Sequence, residues 1–206
     1  MRKIILYINS TLNGVVTGDP NKDKDNFMVW TTGPYIKAGT ECLLETMATV
    51  DTLLLGRNTY KALSVPEGWP SVKKWGPSIS DLTVALGDKI NNAHKMVVTG
   101  GHPLDELKWG DYEAPKQLTG NNVEEQIKDL KESAGRDIVI FGSPTLVRAL
   151  ADANLIDEYQ LQIAPVVVNV GEHLFDRLKE RKDFALLGAK PLEGGSVLVK
   201  YKPVGG

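Results

Sequence analysis

Four short apolar runs, at 4–8, 51–55, 96–99 and 138–141, recur along the chain, and each ends at or near Gly, Asn or Ser. Runs of this length predict buried strands. Between them the apolar positions change to helical spacing: Val123, Ile127, Leu130 and Ala134 in one segment, and Ile79, Leu82, Leu86 and Ile90 in another. Leu43, Leu44, Met47 and Val50 predict a third helix that runs into the strand at Thr52. Asn122 is placed to cap the first of these, with Glu124 and Glu125 near its positive end and Lys131 near the other. Strands alternating with helices predict an α/β sheet. The last third changes period. Tyr159, Leu161 and Ile163 alternate with Gln160 and Gln162, Pro165 interrupts, and Val166 to Val168 resume, which reads as strand, bulge, strand. Phe184 to Lys190 and Ser196 to Lys202 flank Pro191 to Gly195, whose two glycines suit the positive φ of a hairpin turn, so the sheet is expected to finish antiparallel.

Composition narrows the partners. The chain has 206 residues without an internal repeat, a low-complexity segment or a dividing linker, so residues 1–206 are expected to form a single domain. Twenty-four Lys plus Arg against 26 Asp plus Glu leave a net charge of -2 and no basic cluster, so neither nucleic acid nor an anionic membrane is an expected partner. Cys42 is the single cysteine, which excludes an internal disulfide and a cysteine-rich zinc site and fits a reducing cytoplasm. His94, His102 and His173 lack metal-ligand spacing, so no metal is expected. Arg2, Lys3 and Ile4 to Ile8 imitate a signal peptide, but Asn9 ends the apolar run too early, and a first strand explains it better. No apolar stretch approaches the ~20 residues that cross a membrane.

The candidate chemistry sits where predicted strands turn into helices. From Asp137 to Leu150 an apolar strand turns at Gly142 and enters a helix with Ser143 as N-cap and Pro144 at its first position. Free N–H groups and the positive helix end there suit pyrophosphate; a tight turn without a ligand is the other reading. At the second junction Gly56 is followed by Arg57, whose planar fork matches a phosphate, and by Thr59; a solvated arginine and a capping threonine remain the plainer reading. The third junction ends at Thr99, Gly100 and Gly101 before Pro103. The chain contains no Gly-x-Gly-x-x-Gly, no Gly-x-x-x-x-Gly-Lys-Ser/Thr and no Gly-x-Ser-x-Gly, so an ordinary dinucleotide-binding dehydrogenase, a P-loop kinase and a serine hydrolase are not expected. The loops 9–34, holding Trp30, and 64–77, holding Trp69 and Trp75, are long enough to cover a site.

Ser10 to Gly14, Leu54 to Tyr60, Ile140 to Leu150 and Leu155 to Val168, the last leading to the segment Gly171 to Phe175, together resemble the dihydrofolate reductase-like superfamily. The likeness is nearest to the reductase domain of the bacterial riboflavin-biosynthesis deaminase/reductase and its stand-alone relatives, and it spans nearly the whole chain in order. It implies a three-layer α/β fold: a mixed, mainly parallel sheet with helices on both faces and an antiparallel C-terminal hairpin. It also implies an NADPH-dependent reductase of a small heteroaromatic or carbonyl substrate, in the manner of 5-amino-6-(5-phosphoribosylamino)uracil reductase, working as a cytoplasmic homodimer. Carried over by residue, Gly56, Arg57 and Thr59 would form one cofactor contact set and Gly142, Ser143, Thr145 and Leu146 another, with Thr99, Gly100 and Gly101 near the adenosine ribose. Asn13, Trp30 and Trp69 are the substrate-side candidates. Asn13 replaces the Asp usual in the relatives' first loop, and Gly142-Ser143 replaces their frequent Gly-Gly pair. No counterpart of the relatives' early acid stands out; Asp23, Asp25, Glu41 and Glu45 are near in sequence and read as surface carboxylates. The deaminase half is excluded by the single cysteine and the lack of a His-x-Glu motif. The rival readings are a non-catalytic NADP(H)-binding or sensing domain and a flavin-assisted quinone or nitro reductase. The edge expected to pair in the dimer is the alternating strand Tyr159 to Ile163.

Overall fold

The structure, a computed structural model, describes residues 1–19, 21–22, 28–31 and 35–205, without the side chains of 29 and 36. In chain order the elements are β1 (Ile4–Thr11), β2 (Val15–Thr17), α1 (Ile36–Met47), β3 (Val50–Gly56), α2 (Arg57–Leu63), α3 (Asp81–Asn92) and β4 (His94–Gly100). There follow β5 (Lys116–Thr119), α4 (Val123–Glu132), β6 (Asp137–Phe141), α5 (Pro144–Asp152), β7 (Glu158–Ala164), β8 (Glu172–His173), β9 (Phe184–Pro191) and β10 (Val197–Pro203). They group into two compact units.

The first unit comprises Met1–Ile4 and Leu43–Ser143. Its strands run in the order β5-β4-β3-β6, all parallel. Leu53, Leu54, Leu55, Ile138, Val139 and Ile140 are completely buried, the expected state of strands covered on both faces, which is why these stretches read as unbroken apolar runs. Helix α3 begins where Ser80 Oγ accepts from the Thr83 N–H, and it turns Leu86 and Ile90 inward; Ile79 lies just outside it. Helix α4 stops at Glu132, and Asn122 precedes it without a capping bond, its side-chain oxygen taking a hydrogen bond from Gln126 Nε2 instead. The helix expected to run into β3 ends at Met47, and Val50 is already the first strand residue. Arg2 is buried, with Nε on the Arg136 carbonyl, Nη2 on Thr52 Oγ1 and an ion pair to Asp51. That buried charge is paired and hydrogen-bonded, so it holds the chain start in place.

The second unit comprises Ile5–Cys42 and Pro144–Gly206, with strand order β1-β7-β10-β9. β1 and β7 are parallel, from Ile5 beside Glu158 to Thr11 beside Ala164, while β10 runs antiparallel to both β7 and β9. With the three parallel pairs of the first unit, the strand pairing is mixed and mainly parallel and finishes antiparallel, as expected, and Gly194 and Gly195 turn the hairpin with φ of 76° and 80°. Two expectations fail here. Val166 to Val168 do not resume a strand: the Val166 carbonyl accepts from the Leu12 N–H and Val168 is bound by the Asn13 side chain, so the segment bends along the β1–β2 turn. Nor is the strand holding Tyr159 to Ile163 an edge, because β7 is paired on both sides; the outer strand of this unit is β9. A short ladder joins β2 to β8. Helix α5 buries Leu146, Val147, Leu150 and Ala151, the stripe that its 3.6-residue period dictates.

Candidate functional site

Register brings the three predicted junctions to one rim of the first unit. Gly56 lies beside Val98 and Leu55 beside Phe141, so the carboxyl ends of β4, β3 and β6 are level, and Gly100, Gly56 and Gly142 follow one another along that end. Gly56 has extended backbone and precedes the first residue of α2, Arg57. Arg57 is half-buried and makes no ion pair or hydrogen bond among the described residues, unlike the buried Arg2 and the paired Arg148. Gly142 adopts φ 57°, and a Cβ built there would stand 3.3 Å from Thr59 Oγ1. Thr59 and Gly142, 83 residues apart in sequence, therefore face each other across neighbouring strand ends.

The turn itself differs from the expectation in one respect. Ser143 has φ 59°, not the extended backbone of an N-cap, so it continues the left-handed bend begun by Gly142. Pro144 does open the helix. Thr145 is exposed, whereas the Leu146 side chain is buried in the core, leaving only its backbone for any ligand. At the third junction Gly100 has φ 58°, and neither it nor Gly101 has an atom within 4 Å of an added Cβ. Thr99 is the exception: it is buried and its hydroxyl donates to Gln117 Oε1 at 2.9 Å, so its side chain serves the β4–β5 connection.

In the second unit Asn13 and Trp30 gather around residues 164–168. Asn13 is exposed, but its amide is committed: Nδ2 donates to the Val168 carbonyl at 2.7 Å and Oδ1 accepts from Thr11 Oγ1 at 2.9 Å. Trp30, 1% exposed, forms a buried cluster with Val15 and Ala164, against which Val166 and Val168 pack. Its indole Nε1 is buried without a hydrogen-bond partner, alone in this among the side-chain polar atoms of the described residues. Leaving such a donor unpaired costs about 1–3 kcal/mol. In the first unit Trp69 is not brought to the glycine rim. Its carbonyl accepts from Asn91 Nδ2 near the end of α3, at the amino end of β4, and the stretch 64–77 carries 3-10 turns and is not an open loop. Glu41 and Glu45 lie exposed on α1, and Asp23 and Asp25 fall outside the described residues. No group of His, Cys, Asp and Glu among the described residues is arranged for a metal ion.

Two cations escaped the sequence reading. Lys95 is 3% exposed; Nζ donates to the Asn91 carbonyl at 2.5 Å and lies 5.3 Å from the centre of the Trp109 ring, and burial pushes its pKa from 10.5 down to about 8. Its parity on β4, one residue from the exposed His94, was the available signal. Arg148 on α5 donates from Nη1 to the His173 carbonyl at 3.2 Å and pairs with Glu172. The segment Gly171 to Phe175 stood out in the sequence, but nothing there pointed to Arg148 as its partner.

Residues 2–198 match the family model described as the RibD C-terminal domain. The uncharacterized protein YyaP of Bacillus subtilis is 25% identical over 205 residues, covering 97% of this chain and 94% of that one. Among solved structures, RibD of Acinetobacter baumannii matches all of this chain and 59% of its own at a TM-score of 0.68 and 17% identity. Dihydrofolate reductase of Enterococcus faecalis, solved with NADP(H), matches 98% of this chain and 97% of its own at a TM-score of 0.54 and 13% identity. The fold is therefore dihydrofolate reductase-like, and no helix among the described residues is long and apolar enough to cross a membrane.

Proposed function

The chain belongs to the RibD C-terminal domain family, and from that premise we propose that it is an NADPH-dependent reductase of a small pyrimidine-like or carbonyl substrate. The observation that carries this reading is the level rim of three glycine-bearing strand ends, Gly56, Gly100 and Gly142, with the uncommitted Arg57 at its side. Carboxyl ends of parallel strands are where open α/β sheets take ligands.

The residues present fit the cofactor. The Gly142 turn has no side chain facing Thr59 Oγ1, which keeps two phosphate-compatible groups open to one place, and Gly100 and Gly101 leave backbone bare beside them. Arg57 would hold a 2′-phosphate through its planar fork, and the backbone N–H groups of Thr145 and Leu146 in the first turn of α5, which Pro144 opens without a donor of its own, would hold pyrophosphate. When bound, NADPH supplies a hydride. The chain's own residues orient the substrate and exclude water. Asn13 shapes the turn between β1 and β2 through its bonds to Thr11 and Val168.

Fluorescence titration with NADPH and NADH tests the reading. Arg57→Ala is expected to weaken NADPH by about 1–3 kcal/mol, the scale of a charge-assisted hydrogen bond, and to leave NADH nearly unchanged. Equal losses for both cofactors, or no binding of either by the wild type, would overturn it. A panel of pyrimidines, pterins, carbonyls and quinones on the same sample then separates a reductase from a domain that binds without turnover.

A further inference from the structure

Arg148 belongs to none of the candidate sets, yet it is mostly buried, with a side chain 13% exposed, and both of its partners lie on β8. It stands one helical turn beyond Thr145, on the helix whose first turn follows Gly142 and Ser143. Nη1 donates to the His173 carbonyl and Nη2 pairs with the Glu172 carboxylate. β8 in turn lies against β2, with Val15 beside His173 and Thr17 beside Glu172, and the Leu174 N–H reaches the Gly14 carbonyl at 3.2 Å. Gly171, just before β8, packs so closely on this ladder that an added Cβ would stand 2.4 Å from Val15 Cγ1. One guanidinium therefore connects α5 to the turn 12–14 through a two-residue strand. A ladder of two residues has little stability of its own, so its order rests on what clamps it.

We propose that Arg148 is a positioning residue that transmits occupancy of the α5 turn to the turn 12–14, so that a ligand which steadies the start of α5 also steadies the backbone around Asn13 and Gly14. The coupling rests on the cofactor reading given above. The physical basis is loss of fluctuation: ordering the first turn of α5 fixes the base of the Arg148 side chain, and its two bonds then restrain β8 and the strand beside it. Lysine keeps the positive charge but presents no planar fork, so it cannot serve both the carboxylate and the carbonyl in this geometry.

Amide hydrogen exchange on the full chain, with and without NADPH, tests this for the wild type, Arg148→Lys and Glu172→Gln. In the ligand-free protein, exchange at 12–17 and 172–174 is expected to accelerate about tenfold in Arg148→Lys, the equivalent of one charge-assisted bond, while β9 and β10 stay unchanged. Glu172→Gln, which keeps the carbonyl contact, is expected to give a smaller acceleration in the same segments. NADPH is expected to slow exchange at 12–17 in the wild type and not in Arg148→Lys, although that variant still binds it within about twofold of wild-type affinity, since no candidate ligand contact is lost. Unchanged exchange at 12–17 in both ligand-free variants overturns the clamp. Should Arg148→Lys exchange uniformly, as a misfolded chain would, Glu172→Gln decides the clamp by the same criterion. Wild type that binds NADPH without slowing 12–17 overturns the coupling. Wild type that binds no NADPH overturns the cofactor reading and with it the coupling, while the ligand-free arm still decides the clamp.

Discussion

Gly142 and Gly100 adopt almost the same backbone, with φ of 57° and 58°, but their surroundings differ, and the pair separates the two reasons a glycine is needed. An alanine in the left-handed region costs roughly 1–2 kcal/mol. About 0.4–1 kcal/mol returns through the stiffer unfolded chain. For Gly100→Ala, whose Cβ meets nothing within 4 Å, the net loss should therefore be on the order of 1 kcal/mol. For Gly142→Ala the Cβ arrives 3.3 Å from Thr59 Oγ1 and 3.6 Å from Thr59 Cγ2, tighter than most real contacts, so Thr59 must give way. That adds up to about 1 kcal/mol. Urea denaturation followed by both circular dichroism and tryptophan fluorescence measures each loss. A Thr59→Ala background removes the crowding atoms, so the double-mutant cycle should recover the added part and nothing more. NADPH affinity is the second readout: Gly142→Ala should lose at least tenfold, because its methyl group occupies the space facing Thr59. Equal destabilisation of the two alanine variants with no coupling to Thr59 would refute the packing argument. Full NADPH affinity in Gly142→Ala would reduce this glycine to a turn former.

Lys95 should give the protein a pH-dependent stability. Because burial lowers its folded-state pKa from 10.5 to about 8, the unfolded chain binds the extra proton between those values. Unfolding free energy should therefore rise with pH across that window, by about 3 kcal/mol in full, and the rise should vanish in Lys95→Met. The measurement belongs below pH 10, where the Tyr159 hydroxyl, pushed upward by burial, does not yet act in the opposite sense; parallel curves for the two proteins would refute the assignment. Asn13→Asp loses the donor to the Val168 carbonyl and sets a carboxylate oxygen against it, so it should cost about 1–2 kcal/mol while leaving the ranking of substrates unchanged. A changed ranking at full thermal stability would put this amide in the substrate site instead.

Periodicity by itself located the strands at 4–8, 51–55, 96–99 and 138–141, the final hairpin and the helices around 79–90 and 123–134, which the structure bounds at 81–92 and 123–132, because buried faces impose their spacing locally on the chain. The junctions at Gly56 and Gly142 were legible for the same reason: a chain that leaves a strand and enters a helix within two residues has few residues that will do it. What the pattern could not carry was anything settled by partners distant in sequence. Val166 to Val168 have strand-like residues, yet Asn13, 155 residues before Val168, takes the backbone groups that a strand would have used. Tyr159 to Ile163 alternate like a half-exposed edge, yet the order β1-β7-β10 places them inside the sheet, since alternation reports two different faces and not which of them meets water. Trp30 and Trp69 look alike as aromatics in long loops; only the packed fold sends one into a cluster with Val15 and Ala164, its N–H unpaired, and the other to the far end of α3. Arg148 follows the same logic, because burying a cation depends on acceptors and here they lie on β8, 24 and 25 residues further on; Lys95, whose acceptor Asn91 is four residues back, owes its burial to the packed sheet and the Trp109 ring beside it.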